Sequence, residues 1–522
     1  MLIHQAIDYH ARRRPSHKAL ITEGTQYGYH ILQQRSINLA QFFLVQGIVP
    51  GERIGLLGQN SIDHMVAFTA CSRIGAVSVP LNYRLAPPET AYVCDDANIR
   101  LILILEPSVE ILAYAIAEAR DGTSVFVSDL NETHLSLSKA MIEPPSLLVD
   151  TPSNLNEQDA TLQLYTSGTT GKPKGVALSH RNLTALMNNS SNANPGVLGV
   201  DGMDLVCAPM FHIGGAGSTI VPLLCGGAVV MHQSFEPTTV LEAIQKYRIR
   251  EMFMVPAMIL SLLRDVPNFD QYDLSSLDVI GYGAAPISPT LLKEAVERFK
   301  CGFNQYYGMT ETCGTVVALS PETHQRALQG EPELLQAAGQ TCLGVEAKVC
   351  DENGNEVPLG ETGEIWLRSA NSMLHYFNLP EATAKTLIDG WVLTGDAGFI
   401  NEEGFIFLRD RIKDMVVSGG ENIYPVEVEN VLAQMTGVRE TAVIGVPDEK
   451  YGEALLAFIA LNQGFAPPST QAMIDFCRDK LAGYKIPRRL EIIDALPRNS
   501  TGKIQKMVLR EPYWQQTNRQ IG

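Results

Sequence analysis

"LQLYTSGTTGKPKGVALSH", residues 162–180, decides the fold, because an alternating strand-like lead opens into a loop of Ser, Thr, Gly and Lys. Glycines let backbone N–H groups approach phosphate oxygens, hydroxyls donate to them, and lysines offset their charge. A Walker-type loop needs four residues between its glycines and a Ser or Thr after its lysine. Here two residues separate Gly168 from Gly171, and Pro173 follows Lys172. Thr166, Ser167, Gly168, Thr169, Thr170, Gly171 and Lys172 are therefore candidate phosphate ligands of a different architecture. The bland alternative is a surface turn. Taken alone, the loop implies a nucleotide and says nothing of the reaction.

Outward from the loop, short apolar runs alternate with amphipathic helical patterns. "RIGLLGQN", "LILILE", "SVFVSD", "AVVMHQSF", "EMFMVP" and "LDVIGYGAAPIS" read as strands. "SIDHMVAFTACSRIGAVSVPL" reads as a helix and a strand, and "TVLEAIQKYRI" as a helix. Wholly apolar strands between such helices imply parallel sheets covered on both faces. The composition shifts between Glu346 and Arg411, where "EAKVCDENGNEVPLGETGEIWLRS" reads as a β-meander turning at Asp351 to Gly354. Beyond the charged "RDRIKD" stretch a compact α+β pattern begins. The expected fold is α/β: a large N-terminal domain (1–408) of parallel-rich sheets covered by helices plus a β-meander subdomain, a hinge (409–413), and a small α+β C-terminal domain (414–522).

A chain of 522 residues exceeds one ordinary core. With 45% hydrophobic and 19% charged residues it has the composition of a globular protein, and its net charge of −17 argues against nucleic acid as a partner. Arg12, Arg13 and Arg14 read as a solvated helix face, which leaves at most weak peripheral membrane contact. Nine cysteines with no Cys-x-x-Cys spacing suggest reduced thiols. No leader pattern opens the sequence and no apolar run reaches the roughly 20 residues of a bilayer span, so a cytoplasmic enzyme is expected.

Six stretches then identify a family. "YTSGTTGKPKG" (165–175), "GYGAAP" (281–286), "QYYGMTET" (305–312), "TGD" (394–396), "RDRIKDMVVSGGENIYPVEVE" (409–429) and "PRNSTGKI" (497–504) resemble, in order and separation, the adenylate-forming superfamily of acyl-CoA synthetases, luciferases and adenylation domains. The resemblance implies attack of a carboxylate on the α-phosphorus of ATP, giving an acyl-adenylate and pyrophosphate, followed by thiol attack that releases AMP. ATP, Mg²⁺ and CoA are the implied cofactors, with a carboxylic acid as substrate. The first step brings anions together, so catalysis should be mostly positioning and charge neutralisation.

The resemblance also assigns roles. The 166–172 loop would wrap the β- and γ-phosphates, Thr310 would bond the α-phosphate, and Glu311 would carry the Mg²⁺. Tyr307, within Gln305-Tyr306-Tyr307-Gly308, would stack on adenine against Gly283 and Ala284. Asp396 would hold the ribose hydroxyls, with Arg411 beside it. Lys503 would stabilise charge between the carboxylate and the α-phosphate. Lys413 would be the pivot between two orientations of the small domain, and Gly419 and Gly420 would let a pantetheine arm pass. Tyr451 is either a tunnel wall or ordinary packing.

For the acid, "APMFHIGGAGSTIVPLLCGGAVVM" (208–231) is informative. Amino-acid-activating relatives place an aspartate after the phenylalanine, and an ammonium buried without that anion is costly. Here His212 follows Phe211, so amino-acid activation is disfavoured. His212 would steady the substrate carboxylate or gate its pocket. Ile213, Ala216 and Val221 suggest an apolar channel, most like medium- and long-chain fatty acyl-CoA ligases. Aryl-CoA ligases of the 4-coumarate or benzoate type share these motifs and stay open. So does a fatty-acyl-AMP ligase serving an acyl carrier protein, although no insertion before Lys413 marks one. Monomer and homodimer are equally open.

Overall fold

Runs of Val, Ile and Leu too short for a helix and too apolar for a surface strand become the inner strands of two sheets. The computed structural model describes residues 1–105, 124–127, 137–143, 148–166, 172–285, 287–411, 414–418, 421–448, 450–478, 480–498 and 504–514. In a seven-stranded sheet, Ile99–Ile104 lies in parallel between Arg53–Leu57 and Ser124–Val127, and Val77–Leu81 and Ala160–Thr166 continue the parallel set. Lys174–Ser179 and then His375–Tyr376 add to its edge in antiparallel fashion.

A second sheet of fourteen strands has a parallel centre. Lys18–Thr22, Ala228–Met231, Met203–Val206, Glu251–Met254, Val279–Gly283 and Gly302–Met309 lie side by side in that order. Helices cross between these strands, and their starts are written in the sequence. Glu236-Pro237, Ser288-Pro289 and Ser320-Pro321 each place a capping side chain before a proline in the first turn. The expected meander is present, but it is continuous with this sheet. Gly314–Leu319 and Ala337–Thr341 lead across to Ile406–Arg411, Trp391–Ile400, Gly363–Arg368 and Glu346–Cys350.

A third sheet of five strands lies wholly within residues 416–492. Helices Pro425–Leu432 and Thr470–Arg478 bury Val428, Leu432, Met473 and Cys477 in one cluster with strand residues Val443 and Leu455. Leu509, on Lys506–Trp514, packs with Ala442, Ile444 and Leu456, which alternate to the other face. Ile406–Arg411 belongs to the large sheet and Val416–Ser418 to the small one. Arg12, Arg13 and Arg14 are exposed at the end of the first helix, as expected of a solvated face. Among the described residues no helix is long and apolar enough to cross a membrane.

Burial also sets an acid limit on stability. His64, His180 and His324 are at most 2% exposed. Burial holds their pKa values down, to about 3, about 3 and about 4. Folded, they stay neutral, whereas the unfolded chain protonates them near pH 6.5. The unfolded state therefore binds more protons below pH 6.5, and stability falls as the pH drops from there towards 4. Each histidine is expected to cost roughly 2 kcal/mol at pH 5 and nothing above pH 7.5. Urea unfolding at pH 7.5 and 5 checks this: the stability difference should shrink by about that amount in His64→Met. An unchanged difference would mean that His64 is protonated in the folded state.

Candidate functional site

The strands on either side of the candidate phosphate loop, Ala160–Thr166 and Lys174–Ser179, pair as antiparallel neighbours in the seven-stranded sheet. Thr166 pairs with Lys174 and Tyr165 with Gly175 across it. Ser167, Gly168, Thr169, Thr170 and Gly171 lie outside the described residues. At the loop's ends, Thr166 is half-buried and Lys172 is exposed, its Nζ 5.1 Å from the Tyr92 ring centroid.

Glu311 faces this hairpin from the other sheet. It sits on a 3₁₀ turn, Thr310–Thr312, which directly follows Gly302–Met309. Thr312 Oγ1 holds the turn by accepting from the Met309 N–H (2.9 Å) and donating to the Gly314 carbonyl (2.9 Å). Glu311 is 7% exposed, and its Oε1 accepts the Tyr376 hydroxyl at 2.6 Å. Its carbonyl accepts from the Met373 N–H at 2.8 Å. Lys174 Nζ stands 4.8 Å from the Tyr376 ring centroid, so Tyr376 bridges the loop's hairpin to Glu311. Sequence reasoning missed Tyr376. "LHYF" carries no motif, and only the pairing of Tyr376 with Val176 brings it here.

The strand Gly302–Met309 sorts its residues by parity. Gln305 and Tyr307 point to one face, Tyr306 and Gly308 to the other. The Tyr307 hydroxyl donates to Asp396 Oδ2 at 2.7 Å, and Asp396 is 7% exposed. Asp396 lies opposite Arg411 in the antiparallel ladder, so the strand pairing brings Tyr307, Asp396 and the Arg411 backbone to one place. Gln305 Nε2 instead donates to the Ala337 carbonyl at 3.3 Å. Gly283 ends the neighbouring strand, and a Cβ there would collide with the Tyr306 carbonyl; Ala284 follows with φ +65°. Tyr306 is not brought to Asp396, because it faces the opposite side of its strand.

That opposite side is a cavity of about 130 Å³. Ala284 lines it beside Tyr307 and Gly308 of the strand that bears Asp396's partner, with Ile213, Gly217 and Val221 from helix Ile213–Cys225 and Phe253 from Glu251–Met254. At its far end are Tyr306, Asp204 and Glu251. Burial pushes the Asp204 carboxyl well up, with Glu251 adding to it, and pushes Glu251 to about 7. His212 precedes the helix as its N-cap, its ring 4.5 Å from that of Phe211. Burial, with Arg84 adding, lowers the His212 pKa to about 4. The imidazole is thus neutral at pH 7 and can hydrogen-bond a carboxylate or gate the cavity, but supplies no charge.

Lys413, Gly419, Gly420 and Lys503 lie outside the described residues. Tyr451 lies on the small domain with the Arg488 guanidinium 4.3 Å from its ring centroid. Among the described residues no three His, Cys, Asp or Glu side chains cluster as a self-sufficient metal site. A single carboxylate, Glu311, beside a phosphate loop fits Mg²⁺, which keeps phosphate and water oxygens as its other ligands.

Residues 7–377 match the family described as AMP-binding enzyme, and residues 427–503 match the AMP-binding enzyme C-terminal domain. The fatty acid–[acyl-carrier-protein] ligase ScoC of Streptomyces coeruleorubidus is 36% identical over 99% of this chain and 97% of its own. A feruloyl-CoA synthase from an Amycolatopsis species is 36% identical over 96% of this chain and 97% of its own. Among solved structures, the o-succinylbenzoate coenzyme A synthetase of Bacillus subtilis, in complex with ATP and magnesium ion, superposes with a TM-score of 0.82. It is 30% identical, covering 97% of this chain and 98% of that one.

Proposed function

The chain belongs to the AMP-binding enzyme family, and from that premise we propose that it is an ATP-dependent carboxylate–CoA ligase acting on a compact acid. Carboxylate and ATP give acyl-AMP and pyrophosphate; the CoA thiol then displaces AMP to give the thioester. One observation carries the reading: Tyr307 is a wall shared by two compartments. The residue borders the cavity while its hydroxyl, on the other face of the strand, is bonded to Asp396. An acid in the cavity and a nucleotide held by Asp396 would meet across one residue of the strand, which is the proximity that an anion–anion reaction requires.

In this reading Asp396 and Arg411 hold the ribose, and Tyr307, Gly283 and Ala284 enclose the adenine. The loop from Thr166 to Lys172 takes the terminal phosphates and Thr310 the α-phosphate. Mg²⁺, when bound at Glu311, offsets phosphate charge. Neutral His212 steadies the acid's carboxylate by a hydrogen bond. Lys503 enters from the small domain for the first step, and rotation about Lys413 brings Gly419 and Gly420 to the pantetheine for the second.

A cavity of about 130 Å³ is close in size to engineered cavities that hold benzene. That supports an aryl or short aliphatic acid over the long chains that the helix at 213–225 suggested. The test is AMP release with CoA across benzoate, cinnamate and saturated acids from C6 to C16. Compact acids should exceed palmitate at least tenfold in kcat/KM; efficiency that keeps climbing to C16 would restore the long-chain reading. ScoC supports a second acceptor, a carrier-protein thiol. A carrier protein bearing phosphopantetheine, assayed in place of CoA, distinguishes the two.

A further inference from the structure

The cavity ends in two carboxyl groups that the ligase reaction does not use. Asp204, on Met203–Val206, and Glu251, on Glu251–Met254, are register partners on adjacent parallel strands, and both line the cavity. Asp204 is 5% exposed and its carboxyl accepts no hydrogen bond among the described residues. Glu251 Oε1 accepts from Asn194 Nδ2 at 2.9 Å and from the Tyr306 hydroxyl at 3.4 Å. Its Oε2 is shut away from solvent without a partner. Asn194 is itself fixed by Asn304, whose Nδ2 donates to its Oδ1 at 2.8 Å. Arg250 acts on Asp204 only through its charge, its Nε being bonded to Asp278 Oδ2 at 2.6 Å, and burial outweighs that charge.

Buried carboxyl oxygens without donors cost folding free energy, and apolar side chains of similar volume would avoid that cost. Of the two, the unpartnered Asp204 carboxyl is the one open to a substrate group, with Glu251 Oε1 and its partners beside it. We propose that Asp204 and Glu251 receive a hydrogen-bond donor at the far end of the substrate, so that the acids activated here carry a hydroxyl or amino group distal to their carboxylate. The inference rests on the ligase reading above and narrows its substrate class.

The strand geometry gives the length. Glu251 pairs with Val279, and Ala284, proposed above to enclose the adenine, lies five residues beyond Val279. That is roughly 16 Å at about 3.3 Å per residue, leaving roughly 10 Å between carboxylate and donor once the reach of the Glu251 side chain is subtracted. An acid of the dimensions of 4-hydroxycinnamate or 8-hydroxyoctanoate comes close to that span. Between its two ends Ile213, Val221 and Phe253 present apolar walls, beside the hydroxyl-bearing Ser190, Ser218 and Thr315.

The test uses isosteric pairs: 4-hydroxycinnamate against 4-methylcinnamate, and 8-hydroxyoctanoate against nonanoate. Acyl-adenylate is trapped with hydroxylamine in the presence of ATP, so no thiol acceptor is needed. The donor-bearing member of at least one pair should be preferred tenfold or more in kcat/KM. In Asp204→Leu and in Glu251→Met the preference should invert, and the melting temperature of the free Asp204→Leu enzyme should rise. Asp204→Asn and Glu251→Gln, which keep the shape, should lower the preference if either apolar variant fails to fold. A wild-type enzyme that takes both members equally, or prefers the methyl in both pairs, overturns the proposal. So does a preference unmoved by the variants, above all with a lowered melting temperature, which would make the pair part of the fold alone. No hydroxamate from any acid, while ATP still raises the melting temperature, would overturn the ligase reading and the inference with it.

Discussion

Lys503→Ala is expected to slow acyl-adenylate formation about a hundredfold or more, ~3 kcal/mol of transition-state stabilisation, while leaving thioester formation from preformed acyl-AMP largely intact. The lysine would serve charge that builds between carboxylate and α-phosphate, and that charge is absent once the mixed anhydride exists. The basic residues flanking it are engaged within the small domain. Arg498 pairs with Glu440, and Lys506 Nζ stands 2.9 Å from Glu429. Arg498 and Ile504 also pair as an isolated antiparallel bridge, which ties both flanks to the domain. Removing Lys503 should therefore cost charge and little structure. Single-turnover measurements with ATP and acid, set beside the reaction of synthetic acyl-AMP with CoA, separate the two steps. Equal losses in both would deny the lysine its place in the first.

Glu311→Gln should be nearly as damaging and for a different reason. The variant keeps the shape of the side chain and an oxygen for the Tyr376 hydroxyl, but removes the only negative charge proposed to hold Mg²⁺. The adenylation rate should fall roughly a hundredfold, by analogy with the loss of a charge-stabilising group, and the Mg²⁺ concentration for half-maximal rate should rise at least tenfold. Tyr376→Phe should produce a smaller version, about five- to tenfold in rate, because it withdraws one hydrogen bond from a buried carboxylate. Titration of activity with Mg²⁺ at saturating ATP is the measurement. A variant whose Mg²⁺ dependence stays unchanged would show that Glu311 braces the turn and does not touch the ion.

How much of this was legible beforehand follows from what sequence patterns encode. Strands such as Ile99–Ile104 are local, set by burial within a few residues, and they were readable; the helix start at Ser288-Pro289 is as local, but it fell at the end of a stretch read as strand. The neighbourhood of Tyr307, Asp396 and Arg411 was expected from motifs, and the ladder that unites them is visible only in three dimensions. Tyr376 was not readable, since its role depends on an edge strand of two residues pairing with a partner two hundred positions away. Tyr306 was placed with the nucleotide because it sits in the same motif as Tyr307, and strand alternation sends the two rings to opposite faces. The acid pair escaped notice because "MDLV" and "EMFM" read as ordinary strands whose first residues could have been solvated. The register of the parallel sheet instead puts both carboxyls inside.

One arrangement has a bearing on how the chain matures. The phosphate hairpin hangs from the seven-stranded sheet, whereas Tyr307, Asp396 and the turn bearing Glu311 belong to the fourteen-stranded one. In the proposed site neither half would hold the whole nucleotide. A folding intermediate with one sheet formed and the other molten would have no pocket for ATP, so affinity should arrive only when the two docked halves become one body. Nucleotide then acts as a selective ligand of the finished large domain and stabilises it by mass action over every partly folded form. A cell rich in ATP would thereby favour completed chains of this protein over those still assembling.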